Sequence, residues 1–311
     1  MRKTVLAFGE VLWDLLPSGA VLGGAPFNFA YRIHALGDRG VIVSRLGRDD
    51  LGRQAWARVV GLGVETAHIQ WDDTHPTGTV HVSFDAQRNP DYLIVPGVAY
   101  DHIETTGALD TLAAAADCVC FGTLAQRAPT SRRTLGELLS AAPHAVKVLD
   151  INLRKECYTT ESITASLERA DVLKLNEDEA GHLARLFAMP EDSLPDFGAR
   201  AVARWGLSCC VVTLGSRGAL AVSGDGAAVY VPGYRVALVD SCGSGDAFTA
   251  GFVHRLLRGQ DLRECCELGN ALGALVATQP GATAPIAPDD IARLLAAGAP
   301  RVVEESLAEL M

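Results

Sequence analysis

The chain has no cluster of lysine and arginine, no CxxC pair and no apolar run long enough to span a bilayer. Each gap removes a class of function. Its 27 Lys and Arg are outnumbered by 37 Asp and Glu, a formal net charge of −10. Such a balance repels phosphate backbones and anionic headgroups, so neither nucleic acid nor a membrane is an expected partner. The cysteines, Cys118, Cys120, Cys157, Cys209, Cys210, Cys242, Cys265 and Cys266, lack metal-binding spacing, and several sit inside strand-like runs such as Asp117–Phe121. They read as buried reduced thiols of a cytoplasmic protein. The opening MRKTVLAFGEVLWDLLP carries basic residues, but Glu10 and Asp14 interrupt its apolar run, so it does not read as a secretory signal.

What is present suits one large α/β domain or two ordinary ones: 311 residues, 49% hydrophobic and 21% charged. Short apolar runs at Thr4–Phe8, Gly40–Ser44, Cys118–Phe121, Val146–Ile151, Val172–Leu175 and Cys209–Leu214 alternate with helical patterns. Strands this uniformly apolar are buried on both faces, which predicts a doubly wound α/β fold, its mostly parallel sheet flanked by helices. Between Asp73 and His102 the rhythm breaks. Two strand-like runs, Thr79–Phe84 and Tyr92–Val95, flank a turn at Gln87–Pro90, and no helix fits. This stretch predicts a small antiparallel β lid, with Asp14–Gly23 as a candidate edge. The expected division is a core of residues 1–10, 25–71 and 103–311, and a lid of 11–24 and 72–102. The C-terminal stretch reads as helices over Asp246–Leu257, Leu262–Thr278 and Asp289–Ala296.

The most informative stretch is VDSCGSGDAFTAGF, Val239 to Phe252, between a strand pattern and a helical one. A glycine-rich turn at a helix N-terminus presents unpaired N–H groups and the positive end of the helix dipole, a ready phosphate site. Asp246, in the first helical turn, is placed to accept the proton of an attacking hydroxyl. The same dipole depresses the carboxyl pKa, but a weak base suffices where the transition state is loose and the proton leaves late. The same residues also read as a plain turn and helix cap. They are not a dinucleotide fingerprint, which would need glycine at Phe248, nor a P-loop, since no Gly-Lys-Ser/Thr follows.

Asp240-Ser-Cys-Gly-Ser-Gly-Asp246 resembles the C-terminal signature of the ribokinase-like (PfkB) carbohydrate kinases. Gly23-Gly-Ala-Pro-Phe-Asn-Phe-Ala30 with His34-Ala-Leu-Gly37 resembles the N-terminal one in its fructokinase form. Asp150-Ile-Asn-Leu-Arg154, the N-x-x-E motif at Asn176–Glu179 and Thr213-Leu-Gly-Ser-Arg-Gly218 follow in family order, so the likeness spans Gly9 to Ala282. It implies an ATP-dependent sugar kinase, with fructose the preferred acceptor. Asp246 would be the catalytic base, and the amides of Gly243, Ser244 and Gly245 the anion hole. Asp14, Gly23, Gly24, Asn28, Gly122, Asn152 and Arg154 would face the sugar. Asn176, Thr213, Gly215, Gly218, Asn270 and Gly273 would border the nucleotide, and Glu179 would organise Mg²⁺ through water. Many members of the family bind a monovalent cation such as K⁺; Asp240, Cys242 and Gly281 occupy comparable segments, chiefly as backbone ligands. A helix glycine such as Gly273 also reads as close helix packing, and Glu179 as a solvated helix residue.

Three departures bear on the substrate. Ser244 replaces the usual alanine, Phe27 replaces another and would narrow the sugar pocket, and only eight residues separate Asp14 from Gly23. Ribose, 2-keto-3-deoxygluconate and adenosine stand as alternative acceptors, and a non-catalytic sugar-binding relative as an alternative function. A nucleotide-binding oxidoreductase is disfavoured by the missing fingerprint. The exposed edges expected of the lid predict a homodimer formed through it.

Overall fold

The computed structural model describes residues 1–17, 19–84, 90–190, 193–296 and 298–311, with side chains described outside 82–92. The architecture is mixed α/β: a large, mostly parallel sheet flanked by helices, and a small second sheet. The chain divides into two compact units, residues 1–145 with 154–158, and residues 146–153 with 159–311.

In the first unit the strands are β1 (Thr4–Phe8), β2 (Leu12–Leu16), β3 (Gly19–Gly23), β4 (Arg39–Gly47), β5 (Ile69–Asp72), β6 (Gly78–Phe84), β7 (Pro90–Ile94) and β8 (Cys118–Phe121). The helices are α1 (Ala25–Ala35), α2 (Asp50–Gly61), α3 (Gly107–Ala114) and α4 (Pro129–Ala141). β8, β1, β4 and β5 lie side by side and parallel, and their apolar side chains are buried with Phe27, Phe29 and Ile33 of α1. The lid strands order as β3-β2-β6-β7.

The lid departs from expectation in one pairing. β2–β3 and β6–β7 are antiparallel hairpins, but β2 and β6 run parallel, Leu12 opposite Gly78. Each hairpin is a local event; their mutual direction is set by the chain between them, which no turn residue encodes. Most of the predicted turn at Gln87–Pro90 lies outside the described residues. The short Asp14–Gly23 spacing does not reduce the edge, because all five residues of β2 pair with β3. The end of the region, Ala99–His102, forms a 3₁₀ turn where no helix was expected.

In the second unit β9 (Val146–Asp150), β10 (Val172–Asn176) and β11 (Cys209–Thr213) are parallel, and β12 (Ala219–Ser223) and β13 (Ala228–Val231) extend them antiparallel. The helices are α5 (Thr160–Leu167), α6 (Glu177–Leu186), α7 (Leu194–Trp205), α8 (Ser244–Leu256), α9 (Leu262–Ala277) and α10 (Pro288–Leu295). Helices α8 and α9 touch through glycine. A Cβ on Gly251 would stand 2.9 Å from the Leu268 carbonyl oxygen, and one on Gly269 2.8 Å from the Phe248 ring. Seven of the cysteines are buried as expected, Cys118, Cys120, Cys209 and Cys210 of them on strands, and burial pushes the Cys265 thiol up to about 12. Only Cys242 is exposed. No helix among the described residues is long and apolar enough to cross a membrane.

Two buried charge clusters tie the first unit together. Arg127 donates to both oxygens of Asp101, at 2.8 and 2.9 Å, to the Val95 carbonyl and to Tyr100 Oη, fixing the lid's return to the core. Asp72, 2% exposed, accepts from the amides of Thr74 and His75 at 2.8 Å and pairs with Arg45 at 2.8 Å. Burial alone would raise the Asp72 pKa, but the N–H groups of His75 and Thr74, the His75 ring and the Arg45 charge outweigh it and hold it at about 2. A depressed carboxyl stabilises the fold above its unfolded pKa and loses that contribution as pH falls through the folded value. Asp72→Asn is therefore expected to lower the melting temperature at pH 7. The difference from the parent should shrink between about pH 4 and pH 2, as followed by circular dichroism; a gap constant with pH would refute the assignment.

Candidate active site

The phosphate corner is built in the second unit. Gly243 adopts φ 76°, ψ 0°, a left-handed conformation that L side chains rarely take, and it caps α8 without a side-chain bond. Glycine is required on two counts, since a Cβ there would also collide with Ala282. Of the three amides expected to form the anion hole, that of Ser244 donates instead to the Ser241 carbonyl at 3.1 Å, and Asp246 stands in the first turn of α8, 9% exposed. Ser244 Oγ is buried with no hydrogen-bond partner among the described residues. That orphaned donor and the glycine opening suit an anion, and the extra hydroxyl of the departure from alanine sits inside the corner.

The residues considered for a monovalent cation meet here. Asp240 accepts from the Cys242 amide and from the Gly281 amide, both at 2.9 Å, tying the turn to the loop after α9. The carboxylate thus acts as a brace between two loops, and the backbone carbonyls are what remain for a cation. Among the described residues no cluster of three or more His, Cys, Asp or Glu is arranged to hold a metal. Glu179 is buried, not solvated. One oxygen accepts from Leu153 N and the other from Asn176 N, each at 2.8 Å, while Asn176 Oδ1 accepts from Glu179 N. This is a capping box that also ties the β9 loop to α6. Each carboxylate oxygen keeps lone-pair capacity, which fits contact with a hydrated cation better than direct ligation.

The nucleotide-side candidates separate. Asn176 ends β10 directly opposite Thr213 at the end of β11, so these two are neighbours. Gly215 is exposed, with open space where a side chain would be. Gly218 is instead packed against the backbone of residues 231–233. Asn270 spends its amide on the carbonyls of Val231 and Pro232, at 3.0 and 3.3 Å, and Gly273 lets α9 approach the Ser244 carbonyl. Their contacts within the chain are packing and backbone pairing.

The sugar-side candidates lie in the first unit, except Asn152. Asp14 on β2 hangs over Gly23, where a Cβ would stand 2.9 Å from Oδ2. Gly24, at φ 112°, lies so close to the Glu10 carbonyl that a Cβ would overlap it, and it opens α1, whose first turn contains Asn28. Asn28 is 4% exposed. Burial raises the Asp14 pKa above the usual carboxylate range, and the nearby Arg154 charge works against that rise. Gly122 follows β8 and its carbonyl accepts from Gln126 at 2.7 Å. Asn152, in the second unit, holds φ 42°, a left-handed conformation costly for a non-glycine residue. Phe27 is fully buried in the core, so it packs α1 rather than narrowing a pocket.

Cations in or near the core were not anticipated, among them Arg32, which is 2% exposed. Arg127 is committed to Asp101, as above. Lys174, 6% exposed on β10, pairs with Asp150 at 3.0 and 3.2 Å. A lone lysine in an apolar strand run is the one signal that could have marked it.

The pfkB family carbohydrate kinase model matches residues 19–290. The chain belongs to this family and is a sugar-phosphorylating kinase. Fructokinase-1 of Oryza sativa subsp. japonica is 28% identical over 90% of this chain and 93% of its own. The 2-dehydro-3-deoxygalactonokinase of Haloferax volcanii is 29% identical over 96% and 98%. Among solved structures, a fructokinase double mutant from Vibrio cholerae O395, in its fructose, ADP and potassium ion bound form, superposes with a TM-score of 0.80. It shares 24% identity over 95% of this chain and 99% of that one. The fold is therefore shared, while relatives acting on a ketose and on a sugar acid are equally distant.

Gly243→Ala should strain the turn by about 1–3 kcal/mol and shift the corner away from Ala282. The expected outcome is a folded protein by circular dichroism whose sugar-dependent ADP release falls at least about tenfold; unchanged turnover would refute the need for this turn.

Proposed function

We propose that the protein transfers the γ-phosphoryl group of ATP to a hydroxyl of a small sugar, with fructose, phosphorylated to fructose 6-phosphate, the preferred acceptor. One observation carries the reading: in a chain of this kinase family, a left-handed Gly243 opens α8 and sets Asp246 in its first turn. Asp246 accepts the proton of the attacking hydroxyl, and the amides of Gly243 and Gly245, with the Ser244 hydroxyl, receive the negative charge of the transferring group. Asp14, with Asn28, Gly23, Gly24, Gly122, Asn152 and Arg154, orients the acceptor. Asn176, Thr213 and Gly215 border the nucleotide, with Gly218, Asn270 and Gly273 supporting them from behind. Mg²⁺, when bound, neutralises phosphate charge, with Glu179 orienting its water shell; K⁺ would use carbonyls of the Asp240, Cys242 and Gly281 segments. We retain the division into core and lid and assign the chain to the cytoplasm.

Fructose is supported by the rice relative and by the ligand of the Vibrio structure. A sugar acid needs a cation free to turn toward it, and Arg127 is held in place by Asp101, Val95 and Tyr100 through Nε and Nη2, with Nη1 toward the Cys157 sulfur. Arg154, exposed and close enough to Asp14 to shift its pKa, favours the second reading, a 2-keto-3-deoxy sugar acid, as does the Haloferax relative. A coupled ADP-release assay over fructose, ribose, 2-keto-3-deoxygluconate and adenosine decides between them by kcat/KM. The highest value for fructose supports the first reading, and the highest for the sugar acid replaces it. Sugar binding without ADP release would mark a non-catalytic relative.

Asp246→Asn preserves shape but removes proton acceptance. Turnover should fall by about two to four orders of magnitude while calorimetry still shows ATP and sugar binding. Near-normal turnover would sink the assignment.

We also place a homodimer contact on the lid. β3 and β7 are its outer strands among the described residues, and Val21 and Leu93 on them are 38% and 63% exposed. Light scattering at micromolar concentration should give twice the chain mass, and a monomer there would count against the contact.

A further inference from the structure

Lys174 stands at the centre of a charge cluster that no signature motif predicts. It lies on β10 directly opposite Asp150 on β9, and its ammonium bonds both Asp150 oxygens. Asp150, 6% exposed, also accepts from Thr249 Oγ1 at 2.7 Å, and that hydroxyl lies 3.0 Å from the Gly245 carbonyl. Thr249, 1% exposed, sits one helical turn beyond Gly245. The chain Lys174–Asp150–Thr249 therefore ends on the first turn of α8.

Gly245 closes the circuit. Gly245 is the second residue of α8. A Cβ at 245 would lie 3.2 Å from Lys174 Nζ, and no other atom falls within 4 Å of it. A side chain there would press the ammonium aside by a few tenths of an ångström, so the glycine leaves room for the buried cation directly beside the opening of α8. Burial alone would lower the Lys174 pKa, yet the charges of Asp150, Glu179 and Asp246 outweigh it and raise it above the ordinary lysine value. Lys174 is the cation shared by the carboxylates of β9, α6 and α8.

We propose that Lys174 is a positioning residue for phosphoryl transfer. Braced by Asp150 and Thr249, it stands beside Gly245 and holds the turn that carries Asp246, and it adds a full positive charge behind the anion-binding amides. The proposal rests on the kinase reading above. A brace of this kind acts on the reacting geometry and on the terminal phosphate, so it affects turnover and the preference for ATP over ADP more than sugar binding.

The test uses variants that leave no buried charge unpaired, because removing one partner of a buried pair destabilises the fold on its own account. In the double variant Lys174→Met/Asp150→Asn the pair is neutral. Turnover should fall about a hundredfold, sugar KM should change less than about threefold, and the affinity ratio of a non-hydrolysable ATP analogue to ADP should fall about tenfold. Melting should stay within a few degrees of the parent. Thr249→Val cuts the brace without touching a charge and should lower turnover about tenfold, with Thr249→Ser recovering most of the loss. If the double variant does not fold, the two Thr249 variants decide. Full turnover with an unchanged affinity ratio in a folded variant overturns the proposal. If the parent phosphorylates no sugar, the kinase reading fails, and the affinity ratio, measured without catalysis, still judges Lys174.

Discussion

A helix can offer its opening amides to a ligand only if the chain enters it without covering them. Here that constraint is met by Gly243, whose left-handed turn presses against Ala282 and leaves no room for a side chain. The position of Asp246 follows from it, since the carboxylate sits in the first turn that Gly243 starts. The neighbouring loops conform to the same turn: Asp240 binds the amides of Cys242 and Gly281, and Gly273 lets α9 close on Ser244. Close packing on several sides makes this corner a defined object rather than a mobile loop.

Both units hold carboxylates with backbone amides as well as cations. In the second, Glu179 and Asp240 accept from backbone amides, which add no side-chain charge, while Asp150 pairs with Lys174. Such carboxylates stay where the backbone puts them, which suits groups around a polyanionic nucleotide. In the first, Arg127 clamps Asp101 beneath the lid, and Asp14 is raised by burial against the opposing Arg154 charge. A carboxylate in that condition is poised for hydrogen bonds to hydroxyl groups more than for a fixed ion pair.

Family membership defines a reaction class and leaves the acceptor to local chemistry. Relatives near 28–29% identity act on a ketose or on a sugar acid. Phosphoryl transfer needs the same corner for every acceptor, so that part of the chain carries the recognisable motifs.

Much of the fold was legible because strands buried on both faces must be uniformly apolar. Thr4–Phe8 and Cys118–Phe121 have the expected limits to the residue, and four other strands agree within one or a few residues. β5, β12 and β13 were not anticipated: β5 and β13 are four-residue strands at the two ends of the sheet, and β12, beside β13, mixes Ala and Ser with its larger apolar residues, so the signal is weak. The Gly243 turn, Asp246 and the Asn176–Glu179 pairing could be read because each is local, a spacing of a few residues that backbone geometry interprets alone. The parallel β2–β6 pairing, the burial of Glu179 and the packing role of Phe27 could not, since they depend on what comes alongside. Least visible were the ion pairs of Lys174 with Asp150 and Arg127 with Asp101, and the Thr249 bond to Asp150, whose partners are 24, 26 and 99 residues apart. Composition and local pattern determined the strands, the helix openings and the kinase signature. Which charges meet in the interior was decided only when the sheet brought distant strand ends to one place.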